Sequence, residues 1–191
     1  MMSYLNIKTL ILFVALIFSC FITQVEAAKV AVIPLINKAV FNTVEEEKVP
    51  NQIFYSVALG ILRENSGYML IENDRLRHAI ESNIDPYKMP TLEQMKNVSK
   101  KANVDILIAM ELTNYGRKPV RKSEHELNLQ MDVKANLVTY NRLTGKYDKR
   151  KCEDTSIYDA TLESRYDKVQ EAWTKLVRRE FTKLTNAGKI R

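Results

Sequence analysis

Cysteine is nearly missing from this chain. There are two, Cys20 and Cys152, and Cys20 lies in an apolar amino-terminal run. The domain proper therefore holds Cys152 alone, which excludes an intramolecular disulfide and leaves packing to supply stability. Glycine and proline are also sparse, at five each, which excludes a linker-rich or low-complexity chain; there is no internal repeat. The only histidines are His78 and His125. A catalytic zinc site takes three protein ligands, so both are read as solvent-facing, His125 between Glu124 and Glu126. There is no Gly-x-Ser-x-Gly, phosphate loop or Gly-x-Gly-x-x-Gly. No catalytic residue, cofactor site or metal site is expected. Cys152 beside Lys151 is the one conceivable nucleophile, with a modestly lowered pKa. Its surroundings lack a thiol-catalysis signature, and a small side chain in an edge strand explains it as well. Asn97-Val98-Ser99 matches a glycosylation acceptor but falls in a predicted helix.

What is present begins with an address. Lys8 precedes an uncharged apolar run from Leu10 to Ile22, followed by Thr23-Gln24-Val25-Glu26-Ala27. A positive end, an apolar core and small residues at Val25 and Ala27 are the parts of a secretory signal peptide. The run is too short for the about 20 apolar residues of a membrane span. Residues 1–27 are therefore expected to be a signal peptide, cut between Ala27 and Ala28, with one domain over residues 28–191. Ile17-Phe18-Ser19-Cys20 loosely resembles a lipobox, so lipidation at Cys20 is the alternative; it would anchor the protein to a membrane. Phe18 is bulky for that motif and the apolar run continues past Cys20.

The formal net charge is +6. Basic residues are interspersed with acidic ones, and export removes most nucleic-acid partners, so nucleic acid is not expected. Outside the cytoplasm, anionic lipid, cell-wall polymer or an acidic protein face fit better.

Along the domain the hydrophobic period changes several times. Lys29–Leu35, KVAVIPL, reads as a strand buried on both faces. Glu45-Glu46-Glu47 reads as a loop, with Pro50 in the first turn of a helix over 50–65 carrying Ile53, Phe54, Val57, Ala58, Ile61 and Leu62. Gly67 ends it. Tyr68–Glu72 is a strand, and Asn73 or Asp74 caps a helix with Leu76, Ala79 and Ile80, broken at Asp85-Pro86. Thr91-Leu92-Glu93-Gln94 is a capping box opening a helix to Ala102. Val104–Leu112 is a strand. Leu127, Leu129, Met131, Val133, Ala135 and Leu137 alternate with polar residues, giving a strand with one dry face. Asn141–Lys146 turns the chain, and the returning strand from Tyr147 is charged on both faces, as suits an edge. Leu162, Tyr166, Val169, Trp173, Leu176, Val177, Phe181 and Leu184 stripe a helix over 160–187, capped by Asp159, which should cover the sheet. The fold class is α/β (α+β): a mixed sheet in β-α-β-α-α-β-β-β-α order, parallel early, closed by an antiparallel hairpin, with the long carboxy-terminal helix packed on it.

Four segments, KVAVIPL, YMLIENDRL, KKANVDILIAMEL and LVTYNRLTGKY, in this order, resemble the CsgG-like and TolB amino-terminal superfamily of bacterial envelope domains. The resemblance spans nearly all of residues 28–191. It implies a diderm bacterium, a periplasmic or outer-membrane-associated place and a non-enzymatic role; members serve as curli secretion pores, periplasmic parts of the Tol system and lipoprotein activators of cell-wall synthases. Two departures matter. The long hairpin carries Lys149, Arg150, Lys151, Glu153 and Asp154, which suits lipid on neither face, and no β-propeller follows. The expectation is thus an adaptor, activator or secretion accessory that binds an envelope protein or assembles with itself. An exported enzyme using Cys152 or a carboxylate, and a peripheral binder of anionic membrane or cell-wall polymer, are the alternatives. The candidate partner surface is basic: Arg117, Lys118, Arg121 and Lys122 in a loop around Pro119, with Lys149, Arg150 and Lys151 on the edge strand. The leader reading predicts a free Ala28 at the mature terminus. Mass spectrometry of that terminus decides, since an acylated Cys20 would show instead a diacylglyceryl mass increment.

Overall fold

The structure is a computed structural model and describes residues 27–41, 44–121, 127–159 and 165–186. The leader through residue 26, with Cys20, lies outside the described residues, as do Lys122, His125, Leu162 and the side chain of Tyr166.

The chain opens with β1 (Ala28–Val32) and β2 (Ile36–Asn37). The single strand expected over 29–35 is interrupted because Pro34 has no N–H to give a ladder. Pro34 is exposed at the break, and the chain resumes pairing at Ile36. Helix α1 runs Val44–Glu64, so the Glu45–Glu47 run expected to be a loop is its first turn. Acidic side chains there complement the positive end of the helix dipole. Pro50 accordingly lies inside α1 and not in its first turn, where its ring removes one backbone bond. Its carbonyl is used by a distant partner: the Trp173 indole N–H donates to Pro50 O at 3.0 Å.

β3 is short (Tyr68–Leu70), and α2 (Asp74–Glu81) follows. Asn73 is its N-cap, accepting from Leu76 N. α3 (Leu92–Ala102) begins with the expected capping box: Gln94 N donates to Thr91 Oγ1 and Thr91 N to Gln94 Oε1. It ends at Asn103, which holds a left-handed conformation at φ 54°, a backbone state asparagine tolerates better than most residues.

The last strands are longer than their sequences suggest. β4 covers Ile106–Arg121, β5 Leu127–Asn141 and β6 Lys146–Asp159. Asp159 is the last residue of β6, and the described part of the final helix, α4, is Arg165–Asn186; the start of that helix, with the cap expected at Asp159, lies outside the described residues. The β5–β6 turn falls in the expected segment, with Gly145 at φ +68°, and the Asn141 Oδ1 tightens it by accepting from Leu143 N and Thr144 N.

The six strands form one mixed sheet in the order β3-β1-β4-β5-β6, with β2 beside β4. β1 pairs parallel with β3 and β4, and the β4–β5–β6 meander is antiparallel. On one face, α1 and α4 bury Val30, Ile106, Ile108, Met110, Leu112, Met131, Val133, Ala135 and Leu137 under Phe54, Trp173, Leu176 and Phe181. On the other, α2 and α3 bury Ala31, Ile33, Leu107, Ala109, Val138 and Tyr140. The fold is thus three layers where β1 crosses the sheet and fewer where β4 and β5 run on.

A bulge separates the halves. Leu112 pairs with Ala135 and Asn114 with Lys134, leaving Thr113 extra. An added residue shifts which side chains face inward, so Tyr115, and not Asn114, follows Leu112 on the dry face and meets the Phe41 ring at 5.5 Å. The Thr113 hydroxyl donates to Lys134 O, and Asn114 Nδ2 to Asp132 O.

Trp173 ties α4 to α1 at full burial. Replacing it with Phe removes the indole donor to Pro50 O and leaves part of a fully buried site unfilled, an expected loss of about 1–3 kcal/mol. Trp173→Ala should lose about 3–5 kcal/mol. Urea unfolding measures both, and an effect below about 1 kcal/mol for either would contradict this account of the α1–α4 contact.

Candidate interaction surface

The longest open edge of the sheet among the described residues is β6. Its inner side pairs with β5 from Asn128↔Asp159 to Asn141↔Lys146, and among the described residues nothing pairs with its outer side. Side chains on a strand alternate between faces, so its charges fall into two sets. Arg150, Cys152, Asp154, Ser156 and Tyr158 turn towards α4. Lys149, Lys151, Glu153, Thr155 and Ile157 turn away and are exposed. Ile157 is 59% exposed, unusual for a large apolar side chain on an edge.

The inward set is a buried ion cluster. Arg150 Nη2 lies 3.3 Å from Glu180 Oε2 and donates to the Glu180 carbonyl. Arg179 spans Asp154 Oδ1 at 3.1 Å and Glu180 Oε1 at 2.9 Å, and its other Nη donates to Glu153 O at 2.7 Å. Lys183 Nζ is 3.1 Å from Glu180 Oε1. The strand read as charged on both faces therefore has one face tied to α4. Arg150 belongs to this clamp.

The basic residues expected to crowd one loop do not. Arg117, Lys118 and Arg121 are in β4. Past Leu112, β4 has only β5 beside it, so Pro119 sits on a half-edge where a missing N–H is tolerated. Alternation puts Arg117 and Arg121 on the α1/α4 side of the sheet and Lys118 on the other. Lys118 pairs with Gln130 and Lys151 with Asn136, which sets them roughly 20 Å apart along β5 at ~3.4 Å per residue. Lys149 and Lys151 are the pair that remain together, on the outward face of β6.

The groups capable of chemistry are engaged. Cys152 is buried. Burial, then the charge of Glu180, pushes its thiol up to about 11. This reverses the lowering expected from Lys151, which alternation places on the opposite face. A thiol so raised is protonated at neutral pH and is a poor nucleophile. His78 is exposed, its Nδ1 3.6 Å from Glu81. Among the described residues no group of three His, Cys, Asp or Glu side chains could hold a metal, and no helix is long and apolar enough to cross a membrane. A shallow groove of about 460 Å³ opens at the ends of β1 and β3, lined by Pro34, Tyr55, Glu72, Asp74, Arg77 and Glu81. Its charges are spoken for: Glu72 binds Arg63 at 2.6 Å and Asp74 binds Arg77 at 2.7 Å.

Burial opposes ionisation of Glu180, but hydrogen bonds from Arg179 and Lys183 and the charge of Arg150 outweigh it, so its pKa lies below the usual range. Glu111 behaves alike, with burial outweighed by Lys38 and Asn136. So does Asp105, with burial outweighed by Arg142 and the Lys29 N–H. A carboxylate with a lowered folded pKa stabilises the fold above its unfolded pKa, and that contribution is lost as pH falls through the folded value. The thermal midpoint should therefore be flat above about pH 5 and fall below about pH 4.5. Glu180→Gln should start about 2 kcal/mol less stable, a figure reduced for the partial exposure of Arg179, and should show a shallower acid slope. Thermal denaturation across pH for both proteins checks this; parallel slopes would remove Glu180 from the acid response.

No protein-family model matches the chain, and no curated protein is similar to it in sequence. Solved structures are similar in shape. A hypothetical protein of Chlamydia trachomatis is 9% identical with a TM-score of 0.52, the match covering 83% of this chain and 96% of that one. A lipoprotein of Neisseria meningitidis is 13% identical over 81% of this chain and 99% of its own, with a TM-score of 0.44. A minor lipoprotein of Acinetobacter baumannii is 6% identical over 85% and 95%, with a TM-score of 0.43. At these identities the first likeness is one of fold alone, and the other two, with TM-scores under 0.5, carry no argument about this chain.

Proposed function

We propose that this protein is an exported, non-enzymatic module of the bacterial cell envelope, of the CsgG-like and TolB amino-terminal kind, that binds a protein partner through the outer edge of β6. The observation that carries the reading is the edge itself: a long strand, held flat on α4 by buried ion pairs, whose outward side pairs with nothing among the described residues and bears an exposed isoleucine. Such an edge offers backbone donors and acceptors to an added strand, and its alternate side chains supply selectivity. The leader, read as a signal peptide, supports export to the periplasm or outer membrane of a diderm bacterium. A thiol held protonated and carboxylates held in ion pairs support a binding role over a catalytic one. The division of the basic residues between two faces favours a protein over anionic lipid or cell-wall polymer, which would need the charges in one plane.

Ile157→Lys tests the reading, because the residue is exposed and its loss should leave the fold unchanged. Capture of an envelope partner should weaken about tenfold, or about 1.4 kcal/mol, with circular dichroism and thermal midpoint preserved. Equal capture by both proteins, or a chain that captures nothing from envelope extract, would overturn it.

A further inference from the structure

We infer that the partner strand at β6 is β6 of a second copy, the two running antiparallel about a twofold axis through Cys152. The inference rests on the edge-binding reading above and names its occupant. It comes from the order of charge along the strand. Lys146, Lys149, Arg150 and Lys151, with the single acid Asp148 among them, precede Cys152, and Glu153, Asp154 and Asp159 follow it. A strand that changes sign at its middle complements itself when reversed.

Strands added edge to edge about a twofold keep their inner faces on one side of the joined sheet. Residues opposite one another must then share a face, which limits the registers to alternate positions. Centred on Cys152, the outward face sets Lys151 opposite Glu153 of the second copy, twice by symmetry. Lys149 meets Thr155, and Tyr147 meets Ile157. On the inward face Arg150 lies opposite Asp154, and Asp148 opposite Ser156. No like charges oppose. Moving the centre to Lys151 sets that lysine against itself and Asp148 against Asp154; moving it to Glu153 or Asp154 sets that acid against itself. Directly opposed like charges destabilise a sheet and opposite ones stabilise it; centres at Thr155 and Ile157 also oppose no like charges, but the centre at Cys152 opposes the most opposite ones, so charge favours this register.

The outward side chains suit this role. Lys151 and the Glu153 carboxylate point away from α4, and neither has an ion-pair partner among the described residues. Ile157, 59% exposed, is placed beside Tyr147, which is half-buried with its hydroxyl donating to Pro90 O. One edge group is already engaged, since Arg179 donates to Glu153 O; a carbonyl has two lone pairs, and the second remains for a strand. The result is one continuous sheet with the α1/α4 layers of both copies on the same side.

Sedimentation velocity of the purified chain, with Lys151→Glu, Glu153→Lys and the double exchange, tests the inference. A dimer is expected for the native chain, with at least a tenfold weaker association in each single variant. It should be restored in the double variant, where the opposed pairs are exchanged but remain complementary. A second measurement fixes the register: in a Cys152→Ser background, Lys151→Cys mixed with Glu153→Cys should form a disulfide-linked pair under mild oxidation, in clear excess over either variant alone. A monomeric native chain, a dimer indifferent to both single changes, or a double variant no better than the singles would overturn self-pairing. If the chain is monomeric yet Ile157→Lys still loses an envelope partner, the edge serves another protein: the inference fails and the edge-binding reading stands.

Discussion

The antiparallel ladder between β4 and β5 is the constraint from which the other features follow. It is the longest pairing among the described residues, from Ile106↔Asn141 to Arg121↔Leu127. Within it the strict alternation of β5 decides what is inside. Met131, Val133, Ala135 and Leu137 give α4 a dry surface, and α4 in turn holds α1 through Trp173. β4 adapts to this pattern: its bulge at Thr113 shifts the alternation so that Tyr115 and not Asn114 continues the core. The same shift decides which face each later residue takes, turning Arg117 to the α1/α4 side and Lys118 to the other. Ordinary alternation separates these neighbouring charges, and the one extra residue sets which of them lies on the core side.

The second consequence of the ladder is that β6 must be stabilised by something besides apolar burial. Its inward face offers little apolar surface: Cys152, the half-buried Tyr158 and the stems of longer side chains. The ion cluster with Glu180 and Arg179 fills that place. Buried ion pairs are weak evidence for stability, because desolvation offsets much of the attraction. Their directional geometry does fix the strand's rotation about its axis. Arg150 and Asp154 are held inward by partners on α4, so Lys151 and Glu153 face outward by exclusion. Across the sheet, Glu111 with Lys38 at 2.8 Å and Asn136 at 2.7 Å fastens β2 to the start of the wet face. Polar groups here set orientation, and the apolar layers supply the driving force.

Local chemistry was legible in the sequence where a few neighbouring residues settle the outcome. Thr91 and Gln94 satisfy each other's backbone across one turn, Asn73 caps its own helix, and Gly145 supplies the positive φ of its hairpin. The period of β5 and the stripe of α4 were legible for the same reason: each repeats within one element. What escaped depends on partners far along the chain. The stretch from Thr113 to Arg121, with a glycine, a proline and three cations, carries poor strand propensity, and pairing with β5 overrides it. Glu45–Glu47 reads as a solvated run until the helix behind it is seen to need acids at its start. Arg150 reads as surface because Glu180 is thirty positions away. The candidate surface was half legible: Lys149 and Lys151 stay together, while Arg117, Lys118 and Arg121 separate.

The edge raises a question of design that charge alone does not answer. Charged residues on an edge strand usually discourage pairing, and β6 has many. Repulsion requires that an incoming strand meet like charge in every register it can adopt. A strand of one sign does this against its own kind. A strand that changes sign near its centre blocks the registers centred on Lys151, Glu153 and Asp154, and of those it leaves free of opposed like charges the one centred on Cys152 opposes the most opposite charges, so the same residues that discourage indiscriminate pairing favour one partner geometry. Arg179 adds a further filter by occupying Glu153 O, because an incoming strand must share that carbonyl while gaining enough elsewhere. The arrangement of Lys151, Cys152 and Glu153 on a strand clamped from behind by Glu180 and Arg179 therefore makes the edge selective, with the buried ion cluster controlling which face of that selectivity is presented.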